Sequence, residues 1–112
     1  MSSSEAHSLY QQGQYAAAAG IYSQLLQRTQ DAAARSTILS NRAACALHLG
    51  DPAAAEADCR AGLSLNPVSA KLRLKLAKAL TQQDQASAAA AEVAAAAALT
   101  LPDRPSDELL QL

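Results

Sequence analysis

Turn signals recur along this chain at a nearly fixed interval, and that interval restricts the fold more than any other feature. Gly13 precedes Gln14-Tyr15-Ala16-Ala17-Ala18, Gly50 precedes Asp51-Pro52-Ala53-Ala54-Ala55, and Asp84 precedes Gln85-Ala86-Ser87-Ala88-Ala89. Gly50 and Asp84 are 34 positions apart, and Gly13 and Gly50 are 37 apart, which is 34 plus a three-residue insertion. A period near 34 with a turn in the middle of each unit describes an array of helical hairpins, each burying its apolar face against the next.

The segments between the turns read as helices. Residues 36–49 carry Ile38, Leu39, Ala43, Ala46, Leu47 and Leu49 at helical spacing. Gly50 then supplies the left-handed geometry that ends many helices. Asp51 is placed to cap the next helix and Pro52 to occupy its first position. That helix runs to about Leu65 and stops at Asn66-Pro67. The same reading gives helices over residues 3–12, 15–28, 69–81 and 85–99. Residues 30–35 form either an extended connection or the first turn of the third helix. Residues 101–105, Leu-Pro-Asp-Arg-Pro, break the array, and residues 106–112 have the length of one or two turns of a capping helix.

Composition agrees. Half the residues are apolar, but 29 are Ala and 17 are Leu, with no Trp, no Phe and only four Val or Ile. Strands favour β-branched and aromatic residues, whereas helices favour Ala, Leu, Gln, Glu and Lys. The expected fold class is therefore all-α. A net charge of −1 gives no global field to draw nucleic acid or a membrane surface. Cys45 and Cys59 lack metal-ligand spacing and read as buried small residues kept reduced. No Gly-rich phosphate loop and no His/Cys/Asp cluster at ligand spacing is present, so no enzyme activity, no cofactor and no metal are expected. Residues 86–101 are apolar but nearly all Ala, interrupted by Ser87 and Glu92, which reads as a helix outside the membrane. The first residues lack the basic and apolar regions of a signal peptide, so a cytoplasmic location is expected.

The residues at fixed places in each unit resemble those of tetratricopeptide (TPR) repeats. In the second unit these are Leu39, Ala43, Gly50, Ala55, Cys59, Leu63 and Pro67; in the first, Ala6, Leu9, Gly13, Tyr15, Ala18 and Tyr22. The third is degenerate: Ala77, Leu80 and Ala89 fit, Asp84 replaces the turn glycine and Pro102 falls one place late. The resemblance implies three stacked hairpins in a short right-handed solenoid over residues 3–102, with repeats at about 3–35, 36–69 and 70–102, followed by a tail or short capping helix at 103–112.

Such a stack exposes the first helix of each hairpin on its concave side, a surface suited to extended peptides. On the third of these helices Lys71, Lys75 and Lys78 fall at i, i+4 and i+7, on one face, with Leu72, Leu76, Ala79 and Leu80 on the buried side. Lys75 lies 34 residues after Asn41 and so occupies the same repeat position one unit on. Arg42 reads as structural and Arg73 as solvated off the lysine face. This pattern resembles the carboxylate-clamp subfamily of TPR domains, which hold the C-terminal Glu-Glu-Val-Asp of cytosolic heat-shock chaperones. The resemblance implies a peptide site at Asn41, Lys71 and Lys75, with His7 and Lys78 beside it and a co-chaperone-like protein partner. Two clamp positions depart from the subfamily, with Ser3 and His7 where it carries Lys and Asn. A row of lysines is also what a solvated helix face looks like. The alternative is therefore a structural adaptor subunit of a larger complex that binds no chaperone tail.

Overall fold

A computed structural model describes residues 2–100, and within them six α-helices follow one another with no strand. They are α1 (Ser3–Gln11), α2 (Tyr15–Arg28), α3 (Ala32–His48), α4 (Pro52–Leu65), α5 (Ala70–Gln82) and α6 (Ala86–Thr100). Each packs on its chain neighbours, and α3 also meets α5. The result is three stacked hairpins, elongated at 53 × 32 × 24 Å. The sequence-expected end of the third repeat at residue 102, and the capping turns at 106–112, lie outside the described residues.

The three hairpin turns are built alike. Gly13, Gly50 and Asp84 take φ of 80°, 76° and 61°. In each, the residue at positive φ donates its N–H to Tyr10, Leu47 or Thr81, and the next residue donates to Leu9, Ala46 or Leu80. This paired closure satisfies carbonyls that a helix end leaves open. Asp84 holds the left-handed conformation despite its Cβ, which glycine does without strain. Asp84→Gly is therefore expected to stabilise the protein by about 0.5–1 kcal/mol, raising Tm by roughly 3–6 °C for a domain this size. Thermal unfolding followed by circular dichroism checks this, and a lower Tm would show that Asp84 makes a compensating contact.

Four helix starts, those of α1, α3, α4 and α5, carry a side-chain cap. Ser2 and Glu5 form a reciprocal capping box on α1, Asp51 accepts from the Ala54 N–H ahead of Pro52, and Ser69 accepts from the Leu72 N–H. Of the two readings of residues 30–35, the helical one is correct from Ala32 onward. Asp31 accepts from the Ala34 N–H, and the insertion appears as an extra turn at the start of α3. Arg35 fastens that turn by donating to the carbonyls of Leu26 and Thr29 at 2.8 and 2.9 Å.

Two apolar clusters fill the stack. Ala6, Ala18, Tyr22, Ile38 and Cys45 pack the first hairpin onto α3. Ala43, Ala55, Cys59, Leu72, Leu76 and Leu80 join the second and third hairpins. Both cysteines are free and buried, and burial pushes the Cys59 thiol up to about 12 and raises that of Cys45, so they pack as neutral small side chains. Opposite the lysine face, Arg42 spans the hairpins. It grips Asp58 with two hydrogen bonds of 2.8 and 2.7 Å and donates to Ser23 at 3.1 Å. Arg73 corrects the sequence expectation. It is not solvated: it pairs with Glu92 at 3.2 Å and donates to the Pro67 carbonyl at 3.0 Å, bracing α6 against α5.

Candidate peptide-binding groove

The first helices of the three hairpins, α1, α3 and α5, enclose two adjoining concavities. One, of about 160 Å³, is lined by His7 and Tyr10 from α1, Tyr22 from α2, Asn41 and Ala44 from α3, and Lys75 from α5. The other, of about 220 Å³, shares Tyr10, Ala44 and Lys75 and adds Leu47, His48, Lys78 and Gln82. The repeat thus brings Asn41 and Lys75, 34 residues apart, to the same hollow as His7. Lys78 sits in the neighbouring hollow. Lys71 lines neither; it is exposed near the start of α5, one turn before Lys75.

Lys75 is the pivot of the groove. It is half-buried and its Nζ donates to the buried Ser40 hydroxyl at 2.6 Å. Burial lowers its pKa, and the nearby charges of Lys71 and Lys78 lower it further. Three arginines are paired with carboxylates: Arg42 with Asp58, Arg60 with Glu56 and Arg73 with Glu92. Lys71, Lys75 and Lys78 have no carboxylate partner among the described residues. The two hollows therefore hold two such cations, Lys75 and Lys78, beside Asn41, His7 and His48, with Lys71 one turn away. Chemically, that arrangement can donate charge-assisted hydrogen bonds to an anion.

An aromatic cluster forms the rim, and the sequence reading did not identify it. The Tyr15 ring stacks on His48 with centroids 4.2 Å apart and 2° between planes. Tyr10 meets both rings edge-on, and its hydroxyl lies 3.0 Å from His48 Nε2. The available signal was that all three aromatic residues of the chain fall in the first repeat. Ser40 was also missed, since a serine facing a lysine 35 residues away leaves no local mark.

A larger hollow of about 470 Å³ lies on another side, among Ala19, Ala46, Leu49, Ala54 and Ala57 over the Arg42–Asp58 pair. Its charged groups are already occupied, Arg42 and Asp58 by each other and Asp51 by the start of α4. It therefore has little with which to orient a polar ligand. Among the described residues no group of three His, Cys, Asp or Glu is arranged to hold a metal ion, and no helix is long and apolar enough to cross a membrane.

Three antiparallel hairpins joined by these turns are the fold of tetratricopeptide-repeat proteins, and comparison with known structures shows the same class. The first TPR domain of human RPAP3 superposes with a TM-score of 0.82 at 20% identity, covering 97% of this chain and 84% of that domain. The Hsp90 co-chaperone Cns1 of Saccharomyces cerevisiae gives 0.82 at 23%, covering 97% of this chain and 36% of its own. The Yersinia enterocolitica type III secretion chaperone SycD, solved with a peptide of the translocator YopD, gives 0.82 at 21%, covering 97% and 81%. In sequence, human sperm-associated antigen 1 is 36% identical over 87 residues, which cover 73% of this chain and 9% of that protein's length. No protein-family profile matches the chain.

Proposed function

We propose that this chain is a protein-interaction adaptor whose groove takes the acidic C-terminal end of another protein, of the Glu-Glu-Val-Asp kind carried by cytosolic heat-shock chaperones. The observation that carries the reading is that Lys75, with no carboxylate partner among the described residues, shares a hollow with Asn41 and His7, while Lys78 lines the adjoining one and Lys71 lies one turn before Lys75. A terminal Asp brings two carboxylates, and charge-assisted hydrogen bonds to them contribute about 1.5–3 kcal/mol each. In this reading Lys75 and Asn41 hold the terminal carboxylate region, Lys71 adds charge from one turn away and His7 contributes a ring N–H. The description of Cns1 as an Hsp90 co-chaperone and the peptide bound to SycD support peptide capture by this fold. The protein would act by binding rather than catalysis, in the cytoplasm with its partner.

Calorimetry with an acidic C-terminal peptide tests this. Binding should weaken with added salt, because exposed charges are screened over about 8–10 Å. Amidating the peptide's C-terminus should weaken it more than removing one upstream Glu, and Lys71→Glu should weaken it by about tenfold or more. Unchanged affinity in both cases excludes the site. The exposed end of the stack then favours a second reading, a structural subunit of a larger assembly. There Leu74 and Val93 are 45% and 47% exposed around a hollow of about 460 Å³ between α5 and α6.

A further inference from the structure

The chain has three lysines, all on α5, and the fold treats them differently. Lys71 and Lys78 are exposed, whereas Lys75 is half-buried and lines both concavities. Its Nζ is fixed by the 2.6 Å hydrogen bond to the buried Ser40 hydroxyl and makes no other hydrogen bond or ion pair among the described residues. A carboxylate partner would hold a lysine in its ammonium form. Here the partner is neutral, and burial followed by two neighbouring cations favours losing the proton. A desolvated lysine beside other cations is the setting in which an ε-amine becomes a nucleophile. The surroundings supply the rest of an acceptor site. Lys71 and Lys78 attract an anion, and Asn41 in the same hollow has an amide N–H to offer the oxygen of a carbonyl under attack.

We propose that Lys75 is a covalent modification site, where the ε-amine takes the acyl group of a small acyl phosphate in preference to the exposed Lys71 and Lys78. Exposure alone gives the opposite order, since Lys71 and Lys78 are easier to reach. The donor class follows from the groove. An acyl phosphate is an anion with an activated carbonyl, it is small enough for hollows of about 160 and 220 Å³, and no Asp or Glu lines either hollow to repel it. The step balances without a further reagent. The ammonium first gives one proton to water. The amine nitrogen then attacks the carbonyl carbon, so that an N–C bond forms and the C–O bond to phosphate breaks. The bonding pair leaves on the phosphate oxygen, and a second proton from nitrogen goes with it. The products are an amide and hydrogen phosphate. The amide carries no charge. Acylation therefore removes the cation shared by the two hollows and turns peptide binding off, a consequence that rests on the peptide-binding reading above.

Acetyl phosphate added to the full chain at about pH 8 tests the site, with the three lysines separated by tandem mass spectrometry. At low conversion Lys75 is expected to be acetylated about fivefold faster than Lys71 or Lys78. In urea-unfolded chain the three should react at similar rates, because the preference belongs to the fold. Changing Lys71 and Lys78 together to Gln should slow Lys75 about threefold, since both draw the donor in. Both are exposed, so the variant keeps its fold, which circular dichroism checks. An acidic C-terminal peptide in the groove should protect Lys75, and Lys75→Gln, neutral like the amide, should weaken that peptide about tenfold or more. Equal rates at the three lysines of the folded chain, or a slower rate at Lys75, overturn the modification site. If Lys75→Gln still weakens the peptide in that case, the groove reading stands without it. Preferential acetylation of Lys75 with no peptide bound and no protection upholds the modification site and removes the peptide reading.

Discussion

Alanine in place of Arg42 is expected to lower stability by about 2–3 kcal/mol, and alanine in place of Asp58 by a similar amount. Arg42 stands on α3 and reaches two other helices, meeting Asp58 of α4 through two nitrogens and Ser23 of α2 through a third. The Asp58 side chain is 11% exposed and that of Arg42 28%. Removing the guanidinium leaves an almost buried carboxylate with no cation and loosens the first hairpin from the second. Breaking a fully buried pair costs about 3–5 kcal/mol, and the partial exposure of Arg42 brings the figure down. For a domain of this length the loss corresponds to a fall in Tm of roughly 10–20 °C. Arg42→Lys should retain the charge but lose the two-pronged grip, and so fall between wild type and alanine. Replacing both members with leucine should recover much of the loss, because a buried pair replaced by apolar side chains is often neutral. Urea unfolding of the four variants checks the order. If Arg42→Ala melts with wild type, the pair does not hold the hairpins together.

Arg42 also bears on the groove through its place in the sequence. Ser40, Asn41 and Arg42 are consecutive, each turned about 100° from the last around α3. Ser40 meets Lys75, Asn41 faces the concavity and Arg42 points to the opposite side. Fixing Arg42 therefore fixes the rotation of α3 that aims Asn41. A variant that loosens this pair should weaken peptide binding without touching the groove.

The array was legible because each hairpin requires a residue at positive φ, and Gly13, Gly50 and Asp84 mark those turns even where glycine is absent. The insertion was less legible. Residues 29–35 carry no Gly or Pro to separate a loop from a helix, and only Asp31 ahead of three alanines marks the cap. Arg73 was misread because its partner, Glu92, is the single charge on α6, the helix of the degenerate repeat. Counting helix faces puts Arg73 away from the lysines, but it does not place an acid opposite. The meeting of Asn41 with Lys75 follows from equal positions in successive repeats. Tyr10 and His48 are not equivalent: with the 37-residue offset between Gly13 and Gly50, Tyr10 corresponds to Leu47. Their contact depends on how α1 and α3 lean together, which a repeat count does not give.

Methionine in place of Lys75 is expected to stabilise the fold while weakening acidic-peptide binding about 10- to 100-fold. Both effects come from one ammonium group. It is half-buried, lies near Lys71 and Lys78 on its own helix, and has no carboxylate partner among the described residues. Its pKa in the folded protein lies below that of an unfolded lysine, first through burial and then through those charges. A lysine with a depressed folded pKa opposes folding while protonated. The penalty is fully present below the folded pKa and is relieved as pH rises through it toward the ordinary lysine value. Methionine follows the same path without the charge and removes that penalty at pH 7. Ser40 loses a partner in the exchange, but its hydroxyl can turn to a carbonyl of its own helix, which limits the loss. Binding falls because the peptide's carboxylate loses a charge-assisted contact of about 1.5–3 kcal/mol. Urea unfolding at pH 7 and pH 10 separates the terms, since the advantage of methionine should narrow at pH 10 as wild-type Lys75 loses its proton. A variant less stable than wild type at pH 7 would mean that the Ser40 hydrogen bond outweighs the desolvated charge. A variant that is more stable yet binds the peptide as well as wild type would remove Lys75 from the site. More stable and unable to bind is the pairing expected of a cation held in place for an anion that only a partner brings.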